Sequence, residues 1–322
     1  MDKMGDTMRI GIDIGGMSIK LGLVNEDYEI VAKKVIPTQS DIHTPEEVIK
    51  NMAEAADALL RENQIKQQKC KKIGIACPGT SDAKSGIVLY SNNIRWENVP
   101  LISIMQNYLD IPMALANDAD AAALAEVLCG AAKGKKNAVL LTLGTGVGGG
   151  VIIDGKIFLG ALRGGCEPGH MVIERDGKQC TCGRRGCLES YASASALMEM
   201  ARAAAKKCPK SLLYRWSEGE TERINGEMIF EAHKQGDEVA VKVVDEYEEY
   251  LSIGIANLIN IFRPEIVILG GGVSAQKQYL TDALQAKVNQ MCFGGAHGEI
   301  APIVTSEILN DAGIIGAAFL NV

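Results

Sequence analysis

The sequence predicts an α/β protein built from two related halves facing a cleft. Two observations carry this. A strand, a glycine turn, a return strand and a third strand occur in that order near residue 10 and again near residue 140. Glycine-dense turns at Gly15 and Gly16, at residues 144–150, and at Gly270, Gly271 and Gly272 each close an apolar run of strand character. The composition agrees: 47% apolar and 23% charged residues describe a well-cored globular chain, and 322 residues suit about two domains of ordinary size.

Residues 9–14 alternate and are apolar enough for a buried strand. Gly15 and Gly16 turn it, residues 19–24 return, and residues 28–37 complete an antiparallel meander. A helix follows toward Asn63, with Thr44 as N-cap, Pro45 at the first helical position and Glu47 completing a capping box. Residues 72–77 form a short strand ending at Pro78 and Gly79. Residues 111–116 form another, ending at Asn117 and Asp118, with Asp118 placed as N-cap of a helix over 119–128. The pattern then restarts: strand 137–143, the turn of Gly144, Thr145 and Gly146, return strand 149–153, an Asp154-Gly155 hairpin and strand 156–159. Helices over 193–207 and 236–262 come next. Strand 265–269, helix 275–291, strand 302–305 and a terminal helix over 311–320 finish the chain.

Charge and cysteine usage narrow the function. Against 40 Asp and Glu stand 33 Lys and Arg, a net charge of −7, and no basic run offers a nucleic-acid surface. No apolar run approaches the ~20 residues that span a bilayer. Residues 1–8, with Asp2 and Asp6, hold no apolar signal segment. Six of the nine Cys (Cys70, Cys77, Cys129, Cys166, Cys208 and Cys292) show no framework spacing, which fits reduced thiols in a cytoplasmic protein.

The remaining three Cys stand apart. His170, Cys180, Cys182 and Cys187 fall within residues 170–187 and make a complete donor set for structural zinc. With only four His in the chain, one beside three Cys exceeds background scatter. Glu167 and Glu189 flank the donors. They suit either hydrogen bonds from vicinal sugar hydroxyls or support of the metal ligands.

Each glycine turn can bring backbone N–H groups to an anion. Asp13 before Gly15 and Gly16 can hold Mg²⁺ or its water. Thr145 adds a hydroxyl to the second turn, and Gly270, Gly271 and Gly272 lie between a strand and a helix, where a nucleotide can lie. Asp118 reads as a helix cap, as an acceptor for the proton of a substrate hydroxyl, or as both. Asp120, the rival carboxylate, is expected to face solvent from the first helical turn. Asn92 and Asn93 suit a polyol; Trp96, Leu197 and Met198 read as core.

Taken together, these residues resemble the ROK family (repressors, open reading frames and sugar kinases), in its glucokinase-like branch. The resemblance covers nearly the whole chain: residues 13–16, 78–79, 93–96, 117–118, 143–150, 167–189 and 270–272. Its most specific part is Glu-Pro-Gly-His through Cys-Thr-Cys-Gly-Arg-Arg-Gly-Cys-Leu-Glu. It implies an actin-like ATPase (ribonuclease H-like) fold with two lobes around a cleft. The expected lobes are residues 1–117 with 301–322, and residues 118–300 with the zinc loop. It also implies ATP-dependent phosphorylation of a hexose hydroxyl, usually O6 of glucose. The alternatives are another hexose (N-acetylmannosamine, fructose or allose) or a catalytically weak sugar-sensing regulator. By position, Asp118 is then the catalytic base, and Gly79, Asn93, Asn117, Asp118, Glu167, His170 and Glu189 are sugar contacts. His170, Cys180, Cys182 and Cys187 are zinc ligands. Asp13, Gly15, Gly16 and Ser18, with Gly144, Thr145 and Gly146, form two phosphate loops; Gly270, Gly271 and Gly272 take the adenosine side. The implied cofactors are ATP, Mg²⁺ and structural Zn²⁺. The implied partners are a sugar and further copies of the chain, as homodimer or homotetramer, without nucleic acid or membrane. The family's Thr after the paired glycines is replaced by Met17, with Ser18 next. The chain reaches its first strand within about ten residues, leaving no room for the DNA-binding helices of the family's repressors.

Overall fold

The structure, a computed structural model, describes residues 7–161, 164–295 and 297–321. Residues 1–6 of the N-terminal stretch read above lie outside the described residues. The chain divides into two compact units. The first is Met1–Ala138 with Gly150–Cys166 and Glu307–Val322; the second is Val139–Gly149 with Glu167–Ser306.

The first unit opens with the predicted meander, β1 (Met8–Ile14), β2 (Ser18–Val24) and β3 (Ile30–Pro37). Helix α1 (Pro45–Glu62) follows, and both halves of its capping box form: Thr44 accepts from the Glu47 N–H, and Glu47 accepts from the Thr44 N–H. Its buried residues, Val48, Ile49, Met52, Ala55, Ala56, Leu59 and Leu60, recur at helical spacing and join the core of the β-sheet. Strand β4 (Cys70–Cys77) is followed by a small sheet that the sequence did not reveal, made of β5 (Thr80–Asp82), β6 (Ile87–Ser91) and β7 (Trp96–Val99). These strands are too short to show alternation. Trp96 is core, at 2% exposure. Helix α2 (Leu101–Gln106), β8 (Met113–Asn117) and α3 (Asp118–Cys129) complete this stretch.

The main sheet runs β3-β2-β1-β4-β8. β1 pairs parallel with β4, and β4 parallel with β8, so their carboxyl ends share one edge. Ligands in open α/β sheets bind outside such edges.

The second unit begins with β9 (Ala138–Leu143), and β10 (Val147–Ile153) carries the chain back toward the first. The hairpin into β11 (Lys156–Ile157) has positive φ at both Asp154 and Gly155, the geometry of a type I′ turn. Helices α4 (Glu189–Ala192), α5 (Ala194–Lys207), α6 (Leu212–Trp216), α7 (Gly226–Lys234) and α8 (Glu238–Phe262) precede β12 (Ile266–Gly270), α9 (Gln278–Met291) and β13 (Ile303–Thr305). The sheet order β11-β10-β9-β12-β13 repeats that of the first sheet strand for strand. The predicted duplication is therefore a duplication of topology.

Helix α10 (Ala312–Ala318) returns to the first unit. It lies so close to the sheet that a Cβ at Gly11 would sit 1.8 Å from the Ile314 carbonyl oxygen, and one at Gly74 1.6 Å from that of Ala317. A Cβ at Gly316 would come within 1.7 Å of the Ala121 carbonyl oxygen on α3. This packing keeps α3 with the first unit, whereas the sequence reading starts the second lobe at residue 118. Among the described residues, no helix is long and apolar enough to cross a membrane.

Candidate active site and metal centre

In the first unit, the shared edge of β1, β4 and β8 gathers Asp13, Cys77 and Asn117, with Asp118 next in the chain. Two expectations change here. Asn117, not Asp118, is the N-cap of α3; its side chain accepts from the N–H groups of Ala119 and Asp120. Its amide also donates to the Gly79 carbonyl at 2.9 Å, fixing the Pro78-Gly79 turn. Gly79 has φ +94°, and a Cβ there would stand 2.3 Å from the Tyr90 carbonyl oxygen, so only glycine fits. Asp118 occupies the first helical position, where its carboxylate accepts from Ala119 N–H at 2.9 Å. Capping therefore belongs to Asn117. The second change is Asp120, which is 1% exposed rather than solvent-facing. The first turn of α3 packs against Gly150 and Gly165: a Cβ at Gly150 would sit 3.0 Å from the Asp120 Cα, and one at Gly165 2.5 Å from the Asp120 carboxylate.

Burial pushes the Asp118 carboxyl above its ordinary range; the N–H of Ala119 opposes this. Burial also raises Asp13, Lys20 at 3.7 Å opposes, and the Asp118 charge adds to the rise. Two carboxyls with raised affinity for protons on one sheet edge mark a candidate reactive site. The first glycine turn is tight: Gly15 N–H donates to the Ser18 carbonyl at 3.0 Å. Thr38, unnoticed in the sequence, donates its hydroxyl to the Gly15 carbonyl at 2.6 Å. A Cβ at Gly16 would lie 3.5 Å from the Asn93 carbonyl oxygen, so Asn93 borders this turn. Met17 is 91% exposed, and Ser18 opens β2.

In the second unit, Glu189 joins the second glycine turn to the cysteine loop. One carboxylate oxygen accepts from Val147 N–H at 3.1 Å, and the other from the Thr181 hydroxyl at 3.1 Å. A Cβ at Gly146 would collide with it at 2.3 Å. Thr145 is exposed at the tip of this turn, whose Gly144 N–H donates to Gly146 at 3.0 Å. Glu167 precedes a 3₁₀ turn, Pro168–His170, that lies on β10; a Cβ at Gly169 would stand 1.9 Å from the Val147 carbonyl oxygen.

The ligand atoms of His170, Cys180, Cys182 and Cys187 all lie within 4.8 Å of one another. Cys180 Sγ is 3.7 Å from His170 Nδ1, and Cys182 Sγ is 3.7 Å from Cys187 Sγ. A tetrahedral zinc with Zn–S near ~2.3 Å has an edge of roughly 3.8 Å, so the donors fit the ion. Burial first, and the neighbouring sulfurs next, push the Cys187 thiol up to about 12; a divalent cation would remove that obstacle to thiolate formation. Nδ1 faces the sulfurs, which leaves Nε2 of His170 for another partner.

Gly270, Gly271 and Gly272 end β12 and enter a 3₁₀ turn, not the helix expected from residue 275, which begins at 278. Gly271 has φ +82°, and a Cβ there would be 2.4 Å from the Leu143 carbonyl oxygen, so this turn abuts the end of β9. Beside it lies a cavity of about 470 Å³ lined by Leu197, Met198, Phe230 and Val273, with polar Asn225 and Gln276. Apolar walls with few polar groups suit a flat heteroaromatic ring. Leu197, read from the sequence as helix core, is buried in α5 and also lines this cavity; periodicity does not separate a core face from a cavity wall.

The sequence pattern of the ROK family matches residues 9–322. A glucokinase of Thermotoga maritima is 38% identical over 310 residues, covering 96% of this chain and 95% of that protein. A xylose repressor of Caldicellulosiruptor bescii is 32% identical over 284 residues, covering 88% of this chain and 70% of that protein. Among solved structures, a ROK family glucokinase from Streptomyces griseus in complex with glucose and AMPPNP is 33% identical with a TM-score of 0.80, covering 97% of this chain and 98% of that one.

Proposed function

The chain belongs to the ROK family, and from that premise we infer that it is an ATP-dependent hexose kinase acting on glucose at O6. The observation that carries the reading is Asp118: a half-buried residue whose carboxyl is pushed up by desolvation, next to the Asn117 that caps the helix and on the sheet edge that also holds Asp13.

In this reading Asp118 accepts the proton of the sugar hydroxyl as its oxygen attacks the γ-phosphorus. The new O–P bond forms while the bond to the departing ADP oxygen breaks. Gly79, Asn93 and Asn117 from the first unit, and Glu167, His170 and Glu189 from the second, are the proposed sugar contacts. Asp13, Gly15, Gly16 and Ser18, and Gly144, Thr145 and Gly146, receive the phosphates through backbone N–H groups and hydroxyls. Gly270, Gly271 and Gly272 with the neighbouring cavity receive adenosine. Asp13 would hold Mg²⁺, which suits one carboxylate plus substrate phosphates and would neutralise phosphate charge. His170, Cys180, Cys182 and Cys187 would hold zinc, which closes the loop without activating water. Zinc on Nδ1 leaves the His170 Nε2–H to donate to a sugar hydroxyl. No cysteine among the described residues is held in a disulfide, which supports a cytoplasmic location; family membership supports a homodimer or homotetramer.

A panel of glucose, N-acetylmannosamine, fructose and allose, assayed for ATP-dependent phosphorylation, tests the substrate. Glucose should give the highest kcat/KM; a higher value for another hexose would reassign it.

A second reading, a sugar-sensing regulator with weak turnover, is favoured by Met17, which takes the place of a phosphate-facing hydroxyl. If Met17 removes such a contact, Met17→Thr should raise kcat or lower the KM for ATP. If Ser18 already supplies it, Ser18→Ala should impair the enzyme and Met17→Thr should do little. Steady-state kinetics indifferent to both changes would remove the two side chains from phosphate binding.

A further inference from the structure

We propose that Glu126 is a positioning residue that ties together two of the segments through which the chain passes between its units, and that phosphoryl transfer depends on this tie; the inference rests on the kinase reading above. Glu126 stands two turns beyond Asp118 on α3, in an alanine-rich stretch, and its exposure is 0%. Fully buried Glu is rare unless its oxygens are engaged. Here one carboxylate oxygen accepts from Ala131 N–H at 2.8 Å and Glu307 N–H at 3.4 Å, and the other from Ile308 N–H at 3.2 Å. Gly130 makes room for this: a Cβ there would stand 2.1 Å from the carboxylate.

The recipients of these bonds are not scattered. The chain changes units after residues 138, 149, 166 and 306. Ala131 begins the stretch that leads to the first of these crossings, and Glu307 and Ile308 are the residues that follow the last. One side chain thus clasps an outgoing and a returning segment, the latter 181 residues beyond Glu126 in sequence. After Ile308 a 3₁₀ turn, Leu309–Asp311, leads into α10, where a Cβ at Gly313 would lie 2.7 Å from the Asp13 carboxyl group. The other end of α3 carries Asp118. Glu126 therefore anchors both the helix that presents the proposed base and the approach to the helix that backs Asp13. Segments at such crossings absorb backbone change when units move, and a small misplacement far from the chemistry lowers rate steeply.

Glu126→Gln is nearly isosteric but turns an NH₂ group toward N–H donors. Its kcat/KM for glucose should fall on the order of 10²-fold. The ratio of ATP hydrolysis without sugar to sugar phosphorylation should rise several-fold, because water competes once the reacting groups are held less firmly. Glu126→Asp keeps both acceptors but is one methylene shorter, and should move both readouts in the same direction by less. Both variants are assayed well below their melting temperatures. A side chain that served stability alone would lower the melting temperature and leave the kcat/KM and the hydrolysis ratio of folded protein at wild-type values. That result in either variant overturns the proposal, and Glu126→Asp decides if the Gln variant does not fold. Wild-type protein that phosphorylates no sugar would instead sink the kinase reading, before any variant is compared.

Discussion

Asp118→Asn should lower kcat by roughly 10²-fold or more, the usual contribution of a general base, while changing the KM for sugar far less. The substitution is nearly isosteric. The Asn oxygen can still accept from Ala119 N–H, and the helix keeps its Asn117 cap. Little else is lost besides the proton acceptor. The pH dependence follows from the raised carboxyl. Asp118 must be ionised to act, so wild-type kcat/KM should fall on the acid side at a pH above the ordinary Asp value of ~3.9. The same shift has a stability consequence of opposite sign. A carboxyl whose folded pKa is raised binds more protons in the native state, so its effect is to lower stability as pH rises through the interval between the unfolded and folded values. The penalty is greatest above that interval. Asp118→Asn should therefore melt at or above the wild-type temperature at pH 7 while losing activity. Near-normal turnover would move the role to another carboxylate, with Asp120 the first to test.

Wild type should carry about one zinc per chain; Cys182→Ser should release it and weaken glucose binding by roughly 10- to 100-fold, the range found when support of a metal site is lost. The physical link is short. Glu189 accepts from Thr181 inside the cysteine loop, and His170 presents Nδ1 to Cys180. Opening the loop would misplace both proposed sugar contacts. ATP binding should fall less, because the cavity proposed for its base is walled by α5, α7 and the turn after β12. It should not be wholly spared, since Glu189 also accepts from Val147 at the second glycine turn. Calorimetric titration of wild type and mutant with glucose and with ATP separates the two. A zinc-free mutant that stays folded and binds glucose like wild type would disprove the coupling.

Much of this was legible in the sequence where local rules decide. The capping box at Thr44 and Glu47, the Asp154-Gly155 hairpin and both meanders formed as read. The His170–Cys187 cluster drew together because four strong metal donors at short spacing have few other arrangements. What failed depended on long-range packing. Asp118 and Asn117 both suit an N-cap, and only the bond from Asn117 to Gly79 shows why the Asn takes it. Asp120 and Glu126 sit in a short alanine-rich helix of weak amphipathicity, where nothing in the spacing tells a solvated acid from a buried one. Their burial is set by Gly150 and Gly165 and by residues 307–308, far away in the chain. The cavity beside Gly272 was missed because its walls, Leu197, Met198 and Phe230, carry ordinary core residues at ordinary helical spacing.

The most direct test of the kinase assignment is incubation of zinc-replete wild-type protein with glucose, ATP and Mg²⁺, followed by phosphorus and carbon NMR of the products. The account predicts glucose 6-phosphate and ADP in equal amounts, with little ADP when glucose is omitted. ADP released at the same rate with and without sugar, or no phosphorylated sugar at all, would contradict it.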